Sequence, residues 1–357
     1  MPIAQAAATV QVVVPARNEQ DSIGRCLESL VAQQGIAFQI TVVDDESSDR
    51  TRAIAESFLG VRVIGAAEPA PGVSGKCNAL IQGAEGATAK WLLFTDADTF
   101  HYPGSLAASV GEAEERGVDL LSYSPEQETV SWGEQALMPV VFAELARAYP
   151  TDQVNDPADP AVAANGQYIL VRRNVYQTLG GHRAVASKIL EDVELTRLFK
   201  VSGHKIRFRR GTGLVRSRMY RDFRSMVEGW TKNLALLFHR PLWLATLRAI
   251  EFSVIVGCVA AAAVLLLAKN YAIGIGVTAI GALTYGSFLW RIRRAHFPTA
   301  ANLMSFFGLV LFSWLSVRSW RGSRAGGAVT WKGRTYTYSV TQRVPNSSID
   351  EGSKVES

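Results

Sequence analysis

Apolar positions in the first two hundred residues switch between two spacings, short uninterrupted runs and returns every third or fourth place. Gln11 to Pro15 is a Val-rich run, and beyond the loop Ala16-Arg17-Asn18-Glu19 the residues Ile23, Leu27, Leu30 and Val31 fall at helical spacing. Phe38 to Val43 forms a second run, ending in Asp44-Asp45-Glu46-Ser47-Ser48-Asp49, where Asp49 can cap a helix carrying Ala53, Ile54 and Phe58. A third, Val61 to Ile64, leads into a loop with Pro69, Pro71, Gly72 and Gly75, and a fourth, Trp91 to Phe94, opens the segment WLLFTDADTF. A helix is predicted near Pro103 to Arg116 and a strand near Asp119 to Tyr123, followed by a loosely patterned stretch from Ser131 to Pro160. Within that stretch Ala136 to Tyr149 reads equally as a helix on a membrane surface or acceptor pocket and as an ordinary domain helix. Asn165 to Val171 is a loop entering a strand, and Ile189 to Leu195 starts a helix with an acidic first turn. Strands alternating with helices in this way predict an α/β chain with a parallel, Rossmann-like sheet.

From Glu251 the pattern changes. Residues 252 to 268 form an uncharged stretch of 17 and residues 270 to 290 another of 21; a membrane-spanning helix needs about 20. They predict a transmembrane hairpin over 250–290 with a tight turn at Lys269-Asn270, and the basic cluster Arg291, Arg293 and Arg294 marks its return to the cytoplasm. A shorter run, Leu303 to Val317, has Arg residues on both flanks, which suits a re-entrant or interfacial segment better than a simple crossing. The expected organisation is a cytoplasmic catalytic domain over 1–215, an amphipathic connecting segment over 216–248, a membrane region over 249–320 and a C-terminal segment over 321–357 whose polar end is disordered.

Charge follows the same division. Up to Val215 there are 19 Lys and Arg against 26 Asp and Glu, and from Arg216 onward 18 against 6, so the net charge of +5 hides an acidic half and a basic half. The basic residues flank apolar runs, which points to anionic lipid at a cytoplasmic leaflet and away from nucleic acid. The 48% apolar content is high for a soluble protein. Cys26, Cys77 and Cys258 are scattered without a pairing pattern, which fits a reducing compartment and no zinc site. Met1 to Thr9 is too short and too weakly apolar for a signal peptide, so the N-terminal part is expected to stay where it is made.

The chemistry starts at Asp96 and Asp98, one residue apart at the end of an apolar run. Alone, such a pair reads as a turn; at the rim of a sheet it can face a hard divalent cation carrying a diphosphate. Glu191 and Asp192 alone read as helix capping. No G-x-G-x-x-G follows the first strand, and Ser74-Gly75-Lys76-Cys77 lacks the earlier Gly and the Ser or Thr of a phosphate loop, so a dehydrogenase or P-loop enzyme is not expected. His182 and His204 have no second His or Cys at metal-ligand spacing and read as core or capping residues.

Taken in order, the blocks VVVPARNE, VVDDESSDRT, SGKCNAL, FTDAD and ILEDVELTRLFKVSGHKI resemble the family 2 glycosyltransferases with the GT-A fold, from about Val12 to Phe208. Asn165-Gly166-Gln167, Gly180-Gly181-His182, Glu228 to Asn233, Trp331 to Tyr336 and the apolar hairpin are similar to the membrane-bound branch that includes hopanoid-associated and carotenoid (diaponeurosporenoate) glycosyltransferases.

The resemblance implies an inverting transfer of a sugar from a nucleotide donor, UDP-linked, to a lipid or polyisoprenoid-type acceptor. It places the divalent cation, Mg2+ or Mn2+, chiefly on Asp98 with Asp96 in support. Pro15, Ala16, Glu19, Asp44, Asp45 and Asp96 would hold the nucleotide, with Lys76 near the diphosphate. The general base would be Asp192, with Glu191 the alternative or an acceptor-orienting group. Gln167, Trp230 and Lys232 fall on the acceptor or diphosphate side. One departure stands out: membrane members carry a Q/R-x-x-R-W block, whereas this chain has Met226-Val227-Glu228-Gly229-Trp230. That favours transfer of one sugar over processive polymer synthesis, and Lys232 or Arg221 would either restore the missing charge or anchor to lipid. The alternatives are a processive polysaccharide synthase and a non-catalytic sugar-nucleotide-binding membrane protein. The expected location is the inner, cytoplasmic membrane, multi-pass, with the catalytic domain on the cytoplasmic side.

Overall fold

The computed structural model describes residues 8–324, 328–331 and 334–337. Two compact units emerge, one of Met1–Glu128 with Thr151–Met219, the other of Thr129–Pro150 with Tyr220–Ser357. The predicted disordered end beyond Asn346 lies outside the described residues.

The first unit runs β1 (Val10–Ala16), α1 (Ile23–Val31), β2 (Phe38–Asp44), α2 (Thr51–Glu56), β3 (Val61–Gly65), α3 (Gly75–Ala84), β4 (Trp91–Phe94), β5 (Thr99–His101), α4 (Ser105–Glu115), β6 (Leu120–Ser124) and β7 (Glu126–Gln127). The chain leaves it for α5 (Trp132–Ala148) and returns with α6 (Thr151–Asn155), β8 (Ile169–Arg172), α7 (Arg173–Thr178), α8 (Gly181–Ala184), α9 (Glu191–Val201), β9 (Ile206–Arg210) and β10 (Val215–Ser217). Seven strands form one sheet in the order β3-β2-β1-β4-β8-β6-β9, and β5-β10-β7 form a second.

β4 is the middle strand, and all four of its residues are buried because helices cover both faces of the sheet. Burying Leu92, Leu93 and Phe94 stabilises by about 1.5–3 kcal/mol each. Against one face packs α1, where the predicted Ile23, Leu27 and Leu30 are buried together with Cys26, while the fourth predicted position, Val31 at the end of the helix, is exposed. α3 comes so close to β1 that a Cβ on Gly83 would stand 2.3 Å from Val13 Cγ1, so only glycine fits. The expected all-parallel sheet needs one correction: β8 runs antiparallel to both β4 and β6, pairing Phe94 with Ile169. Its apolar run, Ile169 to Val171, carries no sign of direction, because direction is decided by which end of the sheet the preceding chain returns to. Asp49 was expected to cap the next helix; the N-cap is instead Arg50, one residue later, while Asp49 Oδ1 accepts from Thr51 N–H at 2.9 Å, and the helix stops at Glu56 before Phe58.

In the second unit, the loosely patterned stretch contains a full 17-residue helix, α5. A capping box starts it, Ser131 Oγ accepting from Glu134 N–H while Glu134 accepts from Ser131 N–H, and Pro139 sits inside it. Then follow α10 (Phe223–Leu237), α11 (Pro241–Leu267), α12 (Tyr271–Ile292) with a short 3-10 turn, α13 (Thr299–Arg324), and the hairpin β11 (Ala328–Trp331) and β12 (Arg334–Thr337). Pro241–Leu267, Tyr271–Ala295 and Thr299–Arg324 are each long and apolar enough to cross a membrane. The predicted turn lies at Lys269, with φ of 59°, and Asn270. The third apolar run was expected to be short; it is instead the middle of a 26-residue helix. Polar and small residues extend it at both ends, and its buried face reads Ala301, Ser305, Gly308, Leu309, Phe312, Leu315, Ser316 and Ser319. This small-residue face admits α5 closely, since a Cβ on Gly308 would lie 1.9 Å from Ala136 O.

Charge inside this apolar unit is paired. Glu144 of α5 is fully buried, with Arg248 Nε and Arg291 Nε each 3.4 Å away. Both arginines also bind Glu251, at 2.6 Å and 2.7 Å, which ties α5, α11 and α12 together and offsets the desolvation of four charges.

Candidate active site

Three parallel strands, β1, β2 and β4, end at one edge of the large sheet, and the reversal of β8 brings its entry loop Asn165–Gly166–Gln167 to the same edge. Carboxylates concentrate there because strand ends leave backbone groups and side chains facing outward. Asp44 ends β2 opposite Ala16, and the Asp45 N–H donates to the Ala16 carbonyl at 2.8 Å. Asp44 and Asp45 are both buried, and Asp44 Oδ1 has no hydrogen-bond partner among the described residues. A buried acceptor left open in this way suits a polar ligand. Pro15 and Ala16 close β1 beside them. Glu19 accepts from Ser22 Oγ at 2.7 Å, bracing the start of α1.

Asp96, Lys76, Glu191 and Asp192 form one cluster. Lys76, in the first turn of α3, holds Asp96 at 2.7 Å and Glu191 at 3.4 Å. Burial alone disfavours its ammonium, but the charges of Asp96, Glu191 and Asp192 outweigh that and raise its pKa above the ordinary lysine value. Asp192 is partly buried in the first turn of α9. Its Oδ2 accepts from Gly166 N–H at 2.8 Å and its Oδ1 from Val193 N–H at 2.8 Å. Burial first, then the neighbouring Glu191 charge, push its pKa up to about 6, while Lys76 and the two N–H groups pull the other way.

Asp98 lies beside Gln167, the next residue of the entry loop. Gln167 Nε2 lies 3.5 Å from each of its oxygens and donates to Ser217 Oγ at 2.5 Å. Among the described residues no group of three or more His, Cys, Asp or Glu side chains could hold a metal ion. A divalent cation that shares its coordination with substrate phosphates needs only one or two carboxylates. Asp98, with Asp96 two residues before it, offers such a donor set, so the residues present fit a cation of that kind.

Trp230 and Lys232 lie on α10 of the second unit. Trp230 is buried with its ring edge-on to those of Phe142 and Tyr220, and Lys232 is half-buried. The departure at Gly229 has a steric reason, because any Cβ there would lie 2.5 Å from Tyr220 Oη. His182 is buried, with Nδ1 3.0 Å from Tyr176 Oη and its ring edge-on to Phe94, and burial lowers its pKa to about 3. His204 Nδ1 pairs with Asp119 at 3.0 Å. Neither histidine touches the cluster's carboxylates in these contacts, in keeping with a packing role.

Three contributors carry little or no signal in the sequence. Arg17 Nη1 donates to the Asp45 carbonyl at 2.6 Å and locks the first loop onto the second. Ser217 and Gln127, on β10 and β7, reach Gln167 from far along the chain.

Residues 11–180 match the model of the family described as Glycosyl transferase family 2. The chain carries a family 2 glycosyltransferase domain. It is 28% identical over 347 residues to the 4,4'-diaponeurosporenoate glycosyltransferase of Staphylococcus aureus strain MRSA252, covering 93% of this chain and 89% of the relative. To the enzyme of that name from strain USA300 it is 27% identical over 354 residues, with 93% and 89% covered. Among solved structures, a mannosyltransferase from Pyrobaculum calidifontis in complex with GDP-Man and Mn2+ is similar at 17% identity and TM-score 0.48, covering 89% of this chain and 87% of the other. Glucosyl-3-phosphoglycerate synthase from Mycobacterium tuberculosis, in complex with Mn2+, UDP-glucose and phosphoglyceric acid, is similar at 18% identity and TM-score 0.41, covering 61% and 74%. The family 2 domain makes the protein a glycosyltransferase, and its mixed seven-stranded sheet is the GT-A architecture expected from the sequence. The match stops before Asp192, so the family 2 assignment by itself does not reach that residue.

Proposed function

We propose that the protein transfers a single sugar, with inversion, from a UDP-linked donor to a lipid or polyisoprenoid-type acceptor at the inner membrane, with the first unit on the cytoplasmic side. The observation that carries this reading is Asp192, a partly buried carboxylate held by the Gly166 N–H with its pKa raised to about 6. At neutral pH such a group is mostly ionised and yet basic enough to take a proton. In the proposed step the acceptor hydroxyl attacks the anomeric carbon and its proton passes to Asp192. The bond to the diphosphate breaks as the new one forms, and the nucleoside diphosphate leaves with the electron pair. With one base and no protein nucleophile, a UDP-α-sugar gives a β-glycoside.

Asp98, supported by Asp96, would hold a divalent cation, Mg2+ or Mn2+, that supplies charge stabilisation to the departing diphosphate. Pro15, Ala16, Glu19 and the buried pair Asp44 and Asp45 would receive the base and ribose, and Lys76 would meet the diphosphate. Glu191 is the alternative base or orients the acceptor. Gln167, Trp230 and Lys232 serve the acceptor or diphosphate side. An apolar acceptor is supported by the diaponeurosporenoate-named relatives, whose similarity runs through the apolar helices, and by three helices of membrane-crossing length.

The test is incubation of membranes holding the protein with a panel of labelled UDP-sugars, followed by mass spectrometry of the extractable lipids. One-sugar adducts that vanish in Asp192→Asn are expected. Long polymer chains would instead support a processive synthase, and donor binding with no product from any UDP-sugar would support a non-catalytic binding protein.

A further inference from the structure

The entry loop of β8 touches both halves of the site. Its Gly166 N–H holds Asp192 Oδ2 at 2.8 Å, and one residue later the Gln167 amide faces both oxygens of Asp98 at 3.5 Å. The loop is itself pinned on every side. Ser122 Oγ accepts from Asn165 N–H at 3.0 Å, and Asn165 Oδ1 accepts from Gln167 N–H at 3.0 Å. The Gln167 carbonyl accepts from Thr95 Oγ1, at the end of the middle strand, at 2.8 Å. The buried Gln167 side chain spans the small sheet, donating to Ser217 Oγ on β10 and accepting from Gln127 Nε2 on β7 at 3.3 Å.

Both ends of the Gln167 amide are thereby held, Nε2 by Ser217 and Oε1 by Gln127, which sets the face it presents to Asp98. Gly166 has its own constraint. A Cβ there would stand 3.2 Å from Lys76 Nζ and 3.4 Å from Asp192 Oδ2, tighter than ordinary contact on the lysine side. A side chain there would have to push the lysine tip aside beside the carboxylate that the N–H holds.

We infer that Asn165–Gly166–Gln167 is a positioning bracket: Gly166 sets the carboxylate of Asp192 and Gln167 sets that of Asp98, so one short loop fixes the separation between base and diphosphate ligand. This rests on the roles proposed above for Asp192 and Asp98. Neither bracket residue reacts. Their contribution is geometric, and misplacement of reacting groups by about 1 Å is enough to cost about a hundredfold in rate.

The bracket predicts that its two ends fail separately. Full-length protein in detergent is titrated with UDP, with and without MnCl2, and the pH dependence of transfer is recorded beside it. Gln167→Met and Ser217→Ala are expected to weaken Mn2+-dependent UDP binding by about tenfold, as loss of an outer partner of a metal ligand does. In Ser217→Ala, metal-free UDP binding and the acid midpoint of the rate stay in place. Gly166→Ala is expected to lower kcat and raise that midpoint, because its Cβ crowds Lys76 Nζ and Asp192 Oδ2 and disturbs the setting of the ionised base, while Mn2+-dependent UDP binding is retained. Ser217→Ala deletes one oxygen and leaves the loop backbone alone, so it reads positioning even where Gln167→Met lowers the melting temperature. Variants at the two ends that move both readouts together, or neither, overturn the bracket. Asp98→Ala run in parallel separates the causes: if it leaves Mn2+-dependent UDP binding intact, the cation reading of Asp98 has failed, and the Gln167 half of the bracket with it.

Discussion

Removing the charge of Lys76 should move the acid limb of the pH-rate profile upward, and removing that of Glu191 should move it downward. The contact geometry at Gly166 places Lys76 Nζ and Asp192 Oδ2 within about 7 Å of each other. Over that distance a unit charge is worth about 0.6 kcal/mol in water-like surroundings and about 2.5 kcal/mol at an effective dielectric of about 20. That range corresponds to about half to two pH units. The unaltered protein is expected to show a rising limb with its midpoint near the raised pKa of Asp192, about 6. Between about pH 5 and about pH 7 the ionised fraction, and with it the rate at saturating donor, rises roughly tenfold.

Lys76→Met takes away a cation that stabilises the carboxylate, so the limb shifts up by about half to two units. Glu191→Gln takes away a like charge that destabilises it, so the limb shifts down. Asp192→Asn is expected to lose about 10²–10⁴ in kcat with UDP binding retained. The assay is initial rate of labelled sugar transfer across the pH range at constant ionic strength, with donor saturating so that the role of Lys76 in binding does not enter. Limbs that stay put in both variants, or move in the same direction, would remove Asp192 as the titrating base; so would full activity of Asp192→Asn.

Two further outcomes test the scaffold. Glu112 is held at about 2: burial opposes its charge, but hydrogen bonds from Arg209, Tyr123 and Arg207 outweigh that. Its folded pKa is below the unfolded value, so its stabilisation is present above the unfolded pKa of 4.5 and is lost as pH falls through about 2. Discounted for solvent screening, Glu112→Gln should cost about 1–2 kcal/mol at neutral pH in denaturant unfolding, and the difference from the unaltered protein should disappear near pH 2. A cost that persists at pH 2 would mean packing, and not charge, explains Glu112. Gly308→Ala places a Cβ 1.9 Å from the Ala136 carbonyl oxygen, a backbone atom that yields only if α5 and α13 separate. It should destabilise the second unit by about 1–3 kcal/mol or more, read as a lowered melting temperature in detergent; an unchanged melting temperature contradicts the close packing of those helices.

Much of this protein is legible in its sequence because periodicity reports burial. The Val-rich β1, the middle strand β4, the helical spacing of Ile23, Leu27 and Leu30, and the two long uncharged stretches all follow from how much of each element meets water. The capping box of Ser131 and Glu134 was equally local and starts α5 at Trp132, four residues before the helix expected over Ala136 to Tyr149. Acidic pairs at strand ends and helix starts pointed to the chemistry for the same reason: the residue types that bind polar ligands are costly to place there without a partner or a use.

What the tertiary structure alone decided is which of those groups meet. The antiparallel insertion of β8 returns Gln167 to the edge where β4 delivers Asp98, although 69 residues separate them in the chain. Ser217 and Gln127 arrive at that amide through a second sheet whose pairing has no local signature. Side-chain spacing along a strand records which face is dry; it does not record strand direction or long-range register, and those set the distance between a base and a leaving group.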